Sequence, residues 1–234
     1  QNLKSKGTSY NVLRQNNVIN KHQEWSMRNA DAVIVPSKFV MKQVLNYRAR
    51  NVYLVPYYLP KQNVSKISRI DEKIKVGFVG NWTLNKGAQM YVDVASHFAG
   101  NDFLEFTAYG RVYSNSISTD VIQHMGFRSR ADIYKNIDVL FLPSWGEGSA
   151  RVAYEAVSNG ILFLGSEECG IPFQLGSPWI KKHSDKDGFI VYLGSLDLFK
   201  LKNQVVMQRE QMKTYTETQY SENVHSVYKD HISL

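Results

Sequence analysis

The chain has 234 residues, 43% of them hydrophobic, with 6 prolines and 15 glycines; this composition is typical of a folded globular protein and excludes a disordered or collagen-like chain. Its single cysteine excludes an internal disulfide framework and favours a reducing compartment such as the cytoplasm, and no apolar run reaches membrane-spanning length. The formal net charge of +7 comes from scattered positive residues, which favours a phosphate-bearing small ligand or an anionic membrane surface over nucleic acid, with a role in solubility alone as the alternative.

Residues 1–73 predict a short α/β portion followed by a linker. The predicted elements are a helix from about Tyr10 to Asn29, a strand at Ala32–Val35, a helix from Ser37 to about Tyr47, a strand at Val52–Val55 and a polar linker at Lys61–Lys73. Ser37 is a candidate N-cap, because its hydroxyl can accept a hydrogen bond from an amide of the first helical turn. Tyr57 and Tyr58 either stack on a base or fill an interdomain surface, and we favour the second interpretation. The chain begins with Gln1 instead of methionine, which indicates a processed end or a fragment boundary.

From residue 74 onward, strands and helices alternate. The predicted strands are Ile74–Val79, Leu104–Tyr109, Val121–Met125, Val139–Leu142, Ile161–Leu164 and Phe189–Leu193. The predicted helices run from Lys86 to about Ala99, from about Ser129 to Asn136, from after Ala150 to Asn159, and from Leu196 to the end with a break near Ser221. This alternation predicts a Rossmann-like, doubly wound parallel sheet of the α/β class.

Four residues that follow predicted strands should meet at one edge of this sheet. They are Gly80, Gly110, Gly126 and Glu147. Ligands of open α/β sheets bind outside the carboxyl ends of the strands. The sequence therefore predicts a ligand site along this edge.

The first of these turns runs from Gly80 to Gly87 and contains Lys86. A lysine at the start of a helix is poorly placed for the helix dipole but well placed to bind phosphate. An ordinary solvated lysine is the alternative interpretation. The turn matches neither the nucleotide-binding P-loop nor the dinucleotide fingerprint GxGxxG.

Glu147 and Glu155 are eight positions apart and bracket a strand-to-helix turn. If the intervening residues are helical, the two carboxylates are about 12 Å apart along the axis. That distance is too long for an acid and base acting on one bond, but it suits two ends of one elongated polar ligand. Gly146 and Gly148 allow backbone amides to approach that ligand, and Ser149 is a candidate helix cap. A plain loop carboxylate and a solvated helix position are the alternatives.

Metal and thiol chemistry have no support in the sequence. The six histidines lack metal-binding spacing such as HxxxH, and Cys169 lacks the pattern of a catalytic nucleophile. No metal site is therefore predicted.

These motifs resemble the retaining GT-B glycosyltransferases called family 4, or glycosyl transferases group 1. That group carries a glycine-arginine turn followed by Lys-Gly after the first strand of its second domain, which Gly80 and Lys86-Gly87 match. It also carries a Glu-x7-Glu motif after a Pro-Ser pair, which Pro143-Ser144, Glu147 and Glu155 match. Further similarity lies in Ala30–Ser37, which resembles the end of the family's first domain, in Asp138–Leu142, which resembles its strand, and in the final helical segment.

The resemblance implies a site for a nucleotide-sugar donor, UDP- or GDP-linked, and no requirement for a metal or other cofactor. Lys86 would neutralise the diphosphate leaving group, and Glu147 would contact the donor sugar; these two are the predicted catalytic residues. Glu155 would contact the ribose. The full predicted donor-binding set is Gly80, Asn81, Lys86, Arg111, Gly126, Phe127, Glu147, Gly148, Ser149, Ala150 and Glu155, in which the amides of 148–150 hold the sugar and 126–127 border the base.

The chain departs from the family pattern in two ways. Asn81 replaces the family's phosphate-binding arginine, which removes a charge and a bidentate donor that Arg111 could supply instead. The predicted organisation is also unequal: residues 1–73 form a reduced first domain with a linker, 74–195 form the nucleotide-sugar domain, and 196–234 form helices that pack back toward the first part.

The expected function is transfer of a sugar from a nucleotide-diphosphate sugar, with retention, to a glycan, lipid or protein acceptor. The alternative is a non-catalytic nucleotide-sugar or glycan-binding module or accessory subunit, which Asn81 and the short first domain favour. The expected location is the cytoplasm, with the cytoplasmic face of an anionic membrane as a second candidate. A sugar-nucleotide epimerase is a third, less favoured interpretation.

Overall fold

The structure is a computed structural model that describes residues 21–58, 73–112, 120–171, 177–213 and 215–231. The first part of the helix predicted from Tyr10 and residues 61–72 of the predicted linker lie outside these ranges. No helix among the described residues is both long and apolar enough to cross a membrane.

The N-terminal portion is a small α/β unit. Residues 21–29 form helix α1, which is followed by strand β1 (Val33–Val35), helix α2 (Lys38–Asn46) and strand β2 (Val52–Leu54). The two strands are parallel neighbours. Ser37 caps α2, because its hydroxyl accepts a hydrogen bond from the amide of Val40 at 3.2 Å. The predicted cap is therefore confirmed.

A larger α/β unit follows. Its strands are β3 (Ile74–Val79), β4 (Leu104–Tyr109), β5 (Gln123–Gly126), β6 (Val139–Leu142), β7 (Leu162–Ser166) and β8 (Ile180–Lys181). Its helices are α3 (Ala88–His97), α4 (Arg130–Lys135), α5 (Arg151–Ser158), α6 (Lys186–Gly194), α7 (Leu198–Met212) and α8 (Glu217–His231). Short 3-10 helices lie at Leu84–Lys86 and Glu167–Cys169.

Within the described residues, β3 to β8 form a six-stranded sheet in the order β5-β4-β3-β6-β7-β8, and every neighbouring pair is parallel. The chain order reverses between β3 and β6, which is the switch point of a doubly wound sheet. The central strands β6 and β7 are buried along their whole length, as expected for a sheet covered by helices on both faces. The predicted Rossmann-like α/β fold is confirmed.

The strand predicted at Phe189–Leu193 is wrong, because these residues lie in helix α6. The side chain of Asp185 accepts a hydrogen bond from the amide of Gly188 at 2.9 Å and so caps the start of this helix. Phe189, Tyr192 and Leu193 are buried, whereas Val191 is 70% exposed. This is the spacing of a helix with one buried face, not of a strand.

Two further details at the C-terminal end differ from the prediction. The two-residue strand β8 pairs with β7 and was not predicted. The break expected near Ser221 lies instead between Met212 and Glu217, where the hydroxyl of Thr216 accepts a hydrogen bond from the amide of Gln219 at 3.1 Å. A threonine cap thus starts α8 five residues before the predicted break.

Helix α8 contacts the N-terminal portion. The hydroxyl of Tyr53 lies 2.6 Å from Nε2 of His231, and the ring of Tyr58 lies 5.6 Å from that of Tyr220. Helix α8 therefore packs against the segment that contains β2 and the residues after it. The division at residues 73 and 195 stays a prediction.

Gln208 on α7 completes the sheet where the edge strand is too short. Its Nε2 donates to the carbonyl of Phe163 at 2.6 Å, and its Oε1 accepts from the amide of Phe163 at 2.8 Å. Strand β8 pairs with β7 only at Gly165 and Ser166. The side chain of Gln208 therefore takes the place of a longer strand beside Phe163.

Replacing Gln208 by leucine is expected to lower the free energy of unfolding by about 2 kcal/mol or more, because two buried backbone groups lose their partner. Urea unfolding followed by circular dichroism measures this change. The control is Met207→Ala on the same helix, at a 52% exposed position, which should shift stability by less than about 0.5 kcal/mol. Equal effects of the two substitutions would contradict the role assigned to Gln208.

Candidate functional site

The ends of β3, β4 and β5 are packed closely at the carboxyl edge of the sheet. The amide of Gly80 donates to the carbonyl of Tyr109 at 2.9 Å, and the amide of Gly110 donates to the carbonyl of Gly126 at 2.9 Å. A Cβ atom on Gly110 would lie 1.9 Å from the carbonyl oxygen of Gly80, and the φ of Gly110 is 132°. Only glycine fits at residue 110, so the three predicted turns form one surface.

A cavity of about 270 Å³ opens at these strand ends. Its lining includes four of the predicted donor-binding residues, which are Gly80, Asn81, Arg111 and Phe127. The side chain of Phe127 is 79% exposed at the cavity. Arg128 also lines the cavity and was not predicted. Two arginines, Arg111 and Arg128, therefore line the same cavity as Asn81.

The turn that contains Lys86 is hydrogen-bonded to the loop after β6. The amide of Trp145 and the hydroxyl of Ser144 both donate to the carbonyl of Asn85, at 2.9 and 3.0 Å. Lys86 itself lies in the 3-10 helix Leu84–Lys86, and α3 begins two residues later than predicted. The backbone contacts hold Lys86 next to the loop that carries Glu147.

Lys86 and Glu147 form an ion pair, with 2.7 Å between Nζ and Oε1. The side chain of Glu147 is 13% exposed and that of Lys86 is 34% exposed. The two predicted catalytic residues thus meet at the switch point between β3 and β6. A charge pair that is largely shielded from water interacts more strongly than one on the surface.

The loop from Glu147 to Ala150 is held by three hydrogen bonds to distant parts of the chain, one from a side chain and two between backbone groups. The hydroxyl of Ser37 donates to the carbonyl of Gly148 at 2.7 Å, and the amide of Glu147 donates to the carbonyl of Glu168 at 2.8 Å. The amide of Ala150 donates to the carbonyl of Cys169 at 2.9 Å. Because that amide is already bonded and Ala150 is buried, the predicted sugar-binding amides narrow to those of residues 148 and 149.

Ser149 does not cap α5, contrary to the prediction. The N-cap residue is Ala150, which provides no side-chain hydrogen bond. The hydroxyl of Ser149 lies one residue too early and donates to the hydroxyl of Tyr154 at 3.3 Å. Helix α5 ends as predicted, with Asn159 as its C-cap and Gly160 in a left-handed conformation.

Glu155 on α5 is held by two residues of α4. Its Oε1 lies 2.9 Å from a guanidinium nitrogen of Arg130, and its Oε2 accepts a hydrogen bond from the hydroxyl of Tyr134 at 2.9 Å. Burial, and then the charge and hydrogen bond of Glu155, raise the pKa of Tyr134 well above its ordinary value, so its hydroxyl stays a donor. The side chain of Glu155 is 15% exposed. This low exposure excludes the alternative that Glu155 is an ordinary solvated residue on the surface of the helix.

Arg130 and Tyr134 were not among the predicted site residues. They are four positions apart and so lie on the same face of α4. A cation and a tyrosine on one helix face, just after the predicted base-binding turn, are the signal that could have identified them.

Glu155 also borders a second cavity, of about 360 Å³, that is lined by tyrosines. The ring of Tyr57 lies 6.4 Å from that of Tyr154 on α5 and 6.3 Å from that of Tyr220 on α8. Tyr57 therefore lies between the N-terminal portion and helices α5 and α8, and it lines the cavity beside Glu155. Whether it fills a surface between domains or stacks on a base stays a prediction.

Neither metal nor thiol chemistry gains support from the geometry. Within the described ranges, no group of three or more His, Cys, Asp or Glu side chains is placed to hold a metal ion. Cys169 is buried, and burial raises the pKa of its thiol to about 11. A protonated, inaccessible thiol is not a nucleophile.

A family model described as Glycosyl transferases group 1 matches residues 73–200, which is more than half of the chain. No curated protein matches the sequence significantly. The matched residues contain the turn with Lys86, both glutamates and all strands of the larger sheet.

Several solved structures share the fold. Sucrose-phosphate synthase from Thermosynechococcus elongatus has a TM-score of 0.74 and 17% identity, over 97% of this chain and 64% of its own. A mutant of S. aureus TarM, in complex with fondaparinux, alpha-GlcNAc-glycerol and UDP, has a TM-score of 0.71 and 12% identity, over 97% and 48% of the two chains. Anabaena HepE in complex with UDP and glucose has a TM-score of 0.68 and 13% identity, over 89% and 65%. The chain thus spans about half the length of TarM and less than two thirds of the other two.

Proposed function

The chain belongs to the group 1 glycosyl transferases, and on this premise we propose that it transfers a sugar, with retention and without a metal ion, from a nucleotide-diphosphate sugar to an acceptor. One observation carries the proposal: Lys86 and Glu147 meet in an ion pair at the same carboxyl edge of the sheet as the cavity that Asn81, Arg111 and Phe127 line. This arrangement places a cation, a carboxylate and an aromatic ring along one edge, as an elongated nucleotide-sugar requires. Two similar structures contain UDP, which makes UDP the first nucleotide to test.

Each part of the donor has a proposed place. The base and ribose lie near Phe127 and Glu155, the diphosphate lies near Lys86 with Arg111 and Arg128 beside it, and the sugar lies near Glu147. Each carboxylate oxygen can accept more than one hydrogen bond. Glu155 can therefore bind ribose hydroxyls while it keeps its contacts to α4.

Stabilisation of the leaving group is the proposed chemical step. The bond between the anomeric carbon of the sugar and the diphosphate oxygen breaks while the oxygen of an acceptor hydroxyl bonds to that carbon. The electron pair of the broken bond stays on the diphosphate, where negative charge grows, and the departing diphosphate takes up the hydroxyl proton. A fixed ammonium group at that position lowers the energy of the transition state more than that of the bound donor. Lys86 is suited to this role because the backbone contacts of its turn hold it in place before the donor binds.

Replacing Glu155 by alanine is expected to weaken binding of UDP or of a UDP-sugar about tenfold or more, because two charge-assisted hydrogen bonds to the ribose are lost. Titration calorimetry with UDP, GDP and their sugars measures this. Glu210→Ala is the control, since Glu210 forms a surface ion pair on α7 with 57% of its side chain exposed. Unchanged binding by the Glu155 variant, or no binding of any nucleotide by the unmodified chain, would refute the assignment.

A non-catalytic nucleotide-sugar or glycan-binding module is the second candidate, and the observation that favours it is Asn81 in place of the family's arginine. It predicts donor binding with neither donor hydrolysis nor transfer. The substitution Asn81→Arg restores the charge and distinguishes the transferase from the binding module. If the chain is catalytic, the variant should turn over the nucleotide sugar faster. If it is a binding module, the variant should bind the nucleotide sugar more tightly without turning it over.

A further inference from the structure

The opposite half of the same sheet edge carries a cluster that the proposed donor site does not use. Trp145 follows β6, Glu168 lies in the 3-10 helix after β7, and His183 lies two residues after β8. The three side chains come from neighbouring strands of the sheet. We call them the Trp145 cluster.

Glu168 holds His183 by two hydrogen bonds. Its Oε1 lies 2.8 Å from Nδ1 of the imidazole, and its Oε2 accepts from the backbone amide of His183 at 3.3 Å. A carboxylate can only accept at this contact, so the proton of the neutral imidazole lies on Nδ1. In this neutral tautomer Nε2 is a hydrogen-bond acceptor, suited to a hydroxyl group.

Trp145 completes the cluster with a flat apolar surface. Its ring centre lies 5.9 Å from that of His183, at an interplanar angle of 46°, and its side chain is 49% exposed. An exposed aromatic ring beside a fixed hydrogen-bond acceptor fits a molecule with an apolar face and a rim of hydroxyls. Pyranose sugars have this character.

The Trp145 cluster shares its backbone supports with the Lys86–Glu147 pair. The carbonyl of Glu168 accepts from the amide of Glu147 at 2.8 Å, and the amide of Trp145 donates to the carbonyl of Asn85 at 2.9 Å. Each cluster residue is thus fixed relative to the proposed catalytic pair.

The position of the Trp145 cluster along the carboxyl edge of the sheet indicates whether it would bind the donor sugar or the acceptor sugar. The sheet order is β5-β4-β3-β6-β7-β8. The proposed base cavity lies at β5, β4 and β3, and the Lys86–Glu147 pair lies at β3 and β6. The Trp145 cluster lies at β6, β7 and β8, beyond the proposed donor sugar on the side away from the nucleotide.

We propose that Trp145, His183 and Glu168 form a subsite for the acceptor, which is then a saccharide. A pyranose ring stacks on Trp145 and donates a hydroxyl to Nε2 of His183, while Glu168 is a positioning residue that sets the tautomer. This inference rests on the proposed function, because only a donor at Glu147 makes the neighbouring sugar an acceptor.

The test is nuclear magnetic resonance on the full chain, with and without UDP. Methyl glycosides of glucose, galactose and N-acetylglucosamine are the probes. The indole N–H signal of Trp145, identified by its loss in Trp145→Phe, should shift in a saturable way. Trp145→Ala and His183→Ala should each weaken glycoside binding about fivefold to tenfold and leave UDP affinity unchanged.

Two further variants test whether these effects are specific to Trp145 and whether Glu168 sets the tautomer of His183. Trp25→Ala, at a 66% exposed position on α1, should change neither glycoside nor UDP binding. Glu168→Gln should alter the nitrogen chemical shifts of His183 that report its tautomer, which a purely structural role of Glu168 would not do.

The outcomes separate this inference from the proposed function. No UDP binding would refute the proposed donor site, while a glycoside shift at Trp145 would still support a saccharide subsite. UDP binding without any glycoside shift at Trp145 would show the subsite to be wrong. A loss of UDP binding in Trp145→Ala would overturn it too, because the cluster would then belong to the donor site.

Discussion

Replacing Lys86 by alanine is expected to lower the rate of nucleotide release from the sugar donor by a factor of about 10²–10³, the size found when a preorganised charge-stabilising group is removed. Lys86 is held against Glu147 at 2.7 Å by a turn that is bonded to the loop after β6. Donor binding should weaken far less than the rate, because the charge on the leaving group grows mainly in the transition state. Release of UDP or GDP from the matching sugar, followed with and without acceptor, measures the effect.

Two companion variants isolate the cause of this loss. Lys202→Ala removes an exposed lysine from α7 and should leave nucleotide release unchanged. Glu147→Gln should also slow release, and the double variant with Lys86→Ala should lose less than the product of the two single losses, since the residues act as a pair. Full activity of Lys86→Ala would exclude Lys86 as the stabilising cation.

The fold could be predicted because each central strand carries its own signal. Buried parallel strands are continuous apolar runs, and glycines after them mark tight turns, as at Gly80, Gly110 and Gly126. The predicted secondary structure was wrong where a short apolar run is compatible with both a strand and a helix. Phe189–Leu193 has the residues of a strand, and only the cap by Asp185 and the exposure of Val191 show that it is helical.

The candidate site could be predicted only as far as its motifs extend. Lys86, Glu147 and Glu155 stand out because they match motifs in the turns after β3 and β6 and in helix α5, which follows the second of these turns. Their partners come from distant parts of the chain: Ser37 bonds to Gly148 across 111 positions. Such contacts depend on how helices pack on the sheet, and no local spacing specifies them.

The amide of Ala150 is a second contact that the sequence could not predict, because it is already hydrogen-bonded within the protein. A helix start suggests free amides, but the carbonyl of Cys169 on a neighbouring loop already accepts from this one. Sequence identifies which groups are suited to a ligand, whereas packing decides which of them the protein itself uses.

Gly87→Ala is expected to lower the free energy of unfolding by more than about 3 kcal/mol, a loss in the range reserved for buried clashes and strained backbone. The φ of Gly87 is 78°, and a Cβ atom there would lie 1.9 Å from the carbonyl oxygen of Pro143. That oxygen belongs to backbone at the end of β6, so the clash is relieved only if the turn or the strand moves. Urea unfolding followed by circular dichroism measures the loss.

Gly100→Ala is the matched control, because it has the same backbone conformation without the clash. Its φ is 80°, and a Cβ atom there would meet nothing within 4 Å. Its cost should be the left-handed strain alone, about 1 kcal/mol. The difference between the two variants therefore measures the contact between the Lys86 turn and β6. If both lose the same stability, that contact does not hold the turn, and the fixed position of Lys86 on which leaving-group stabilisation depends would need another support.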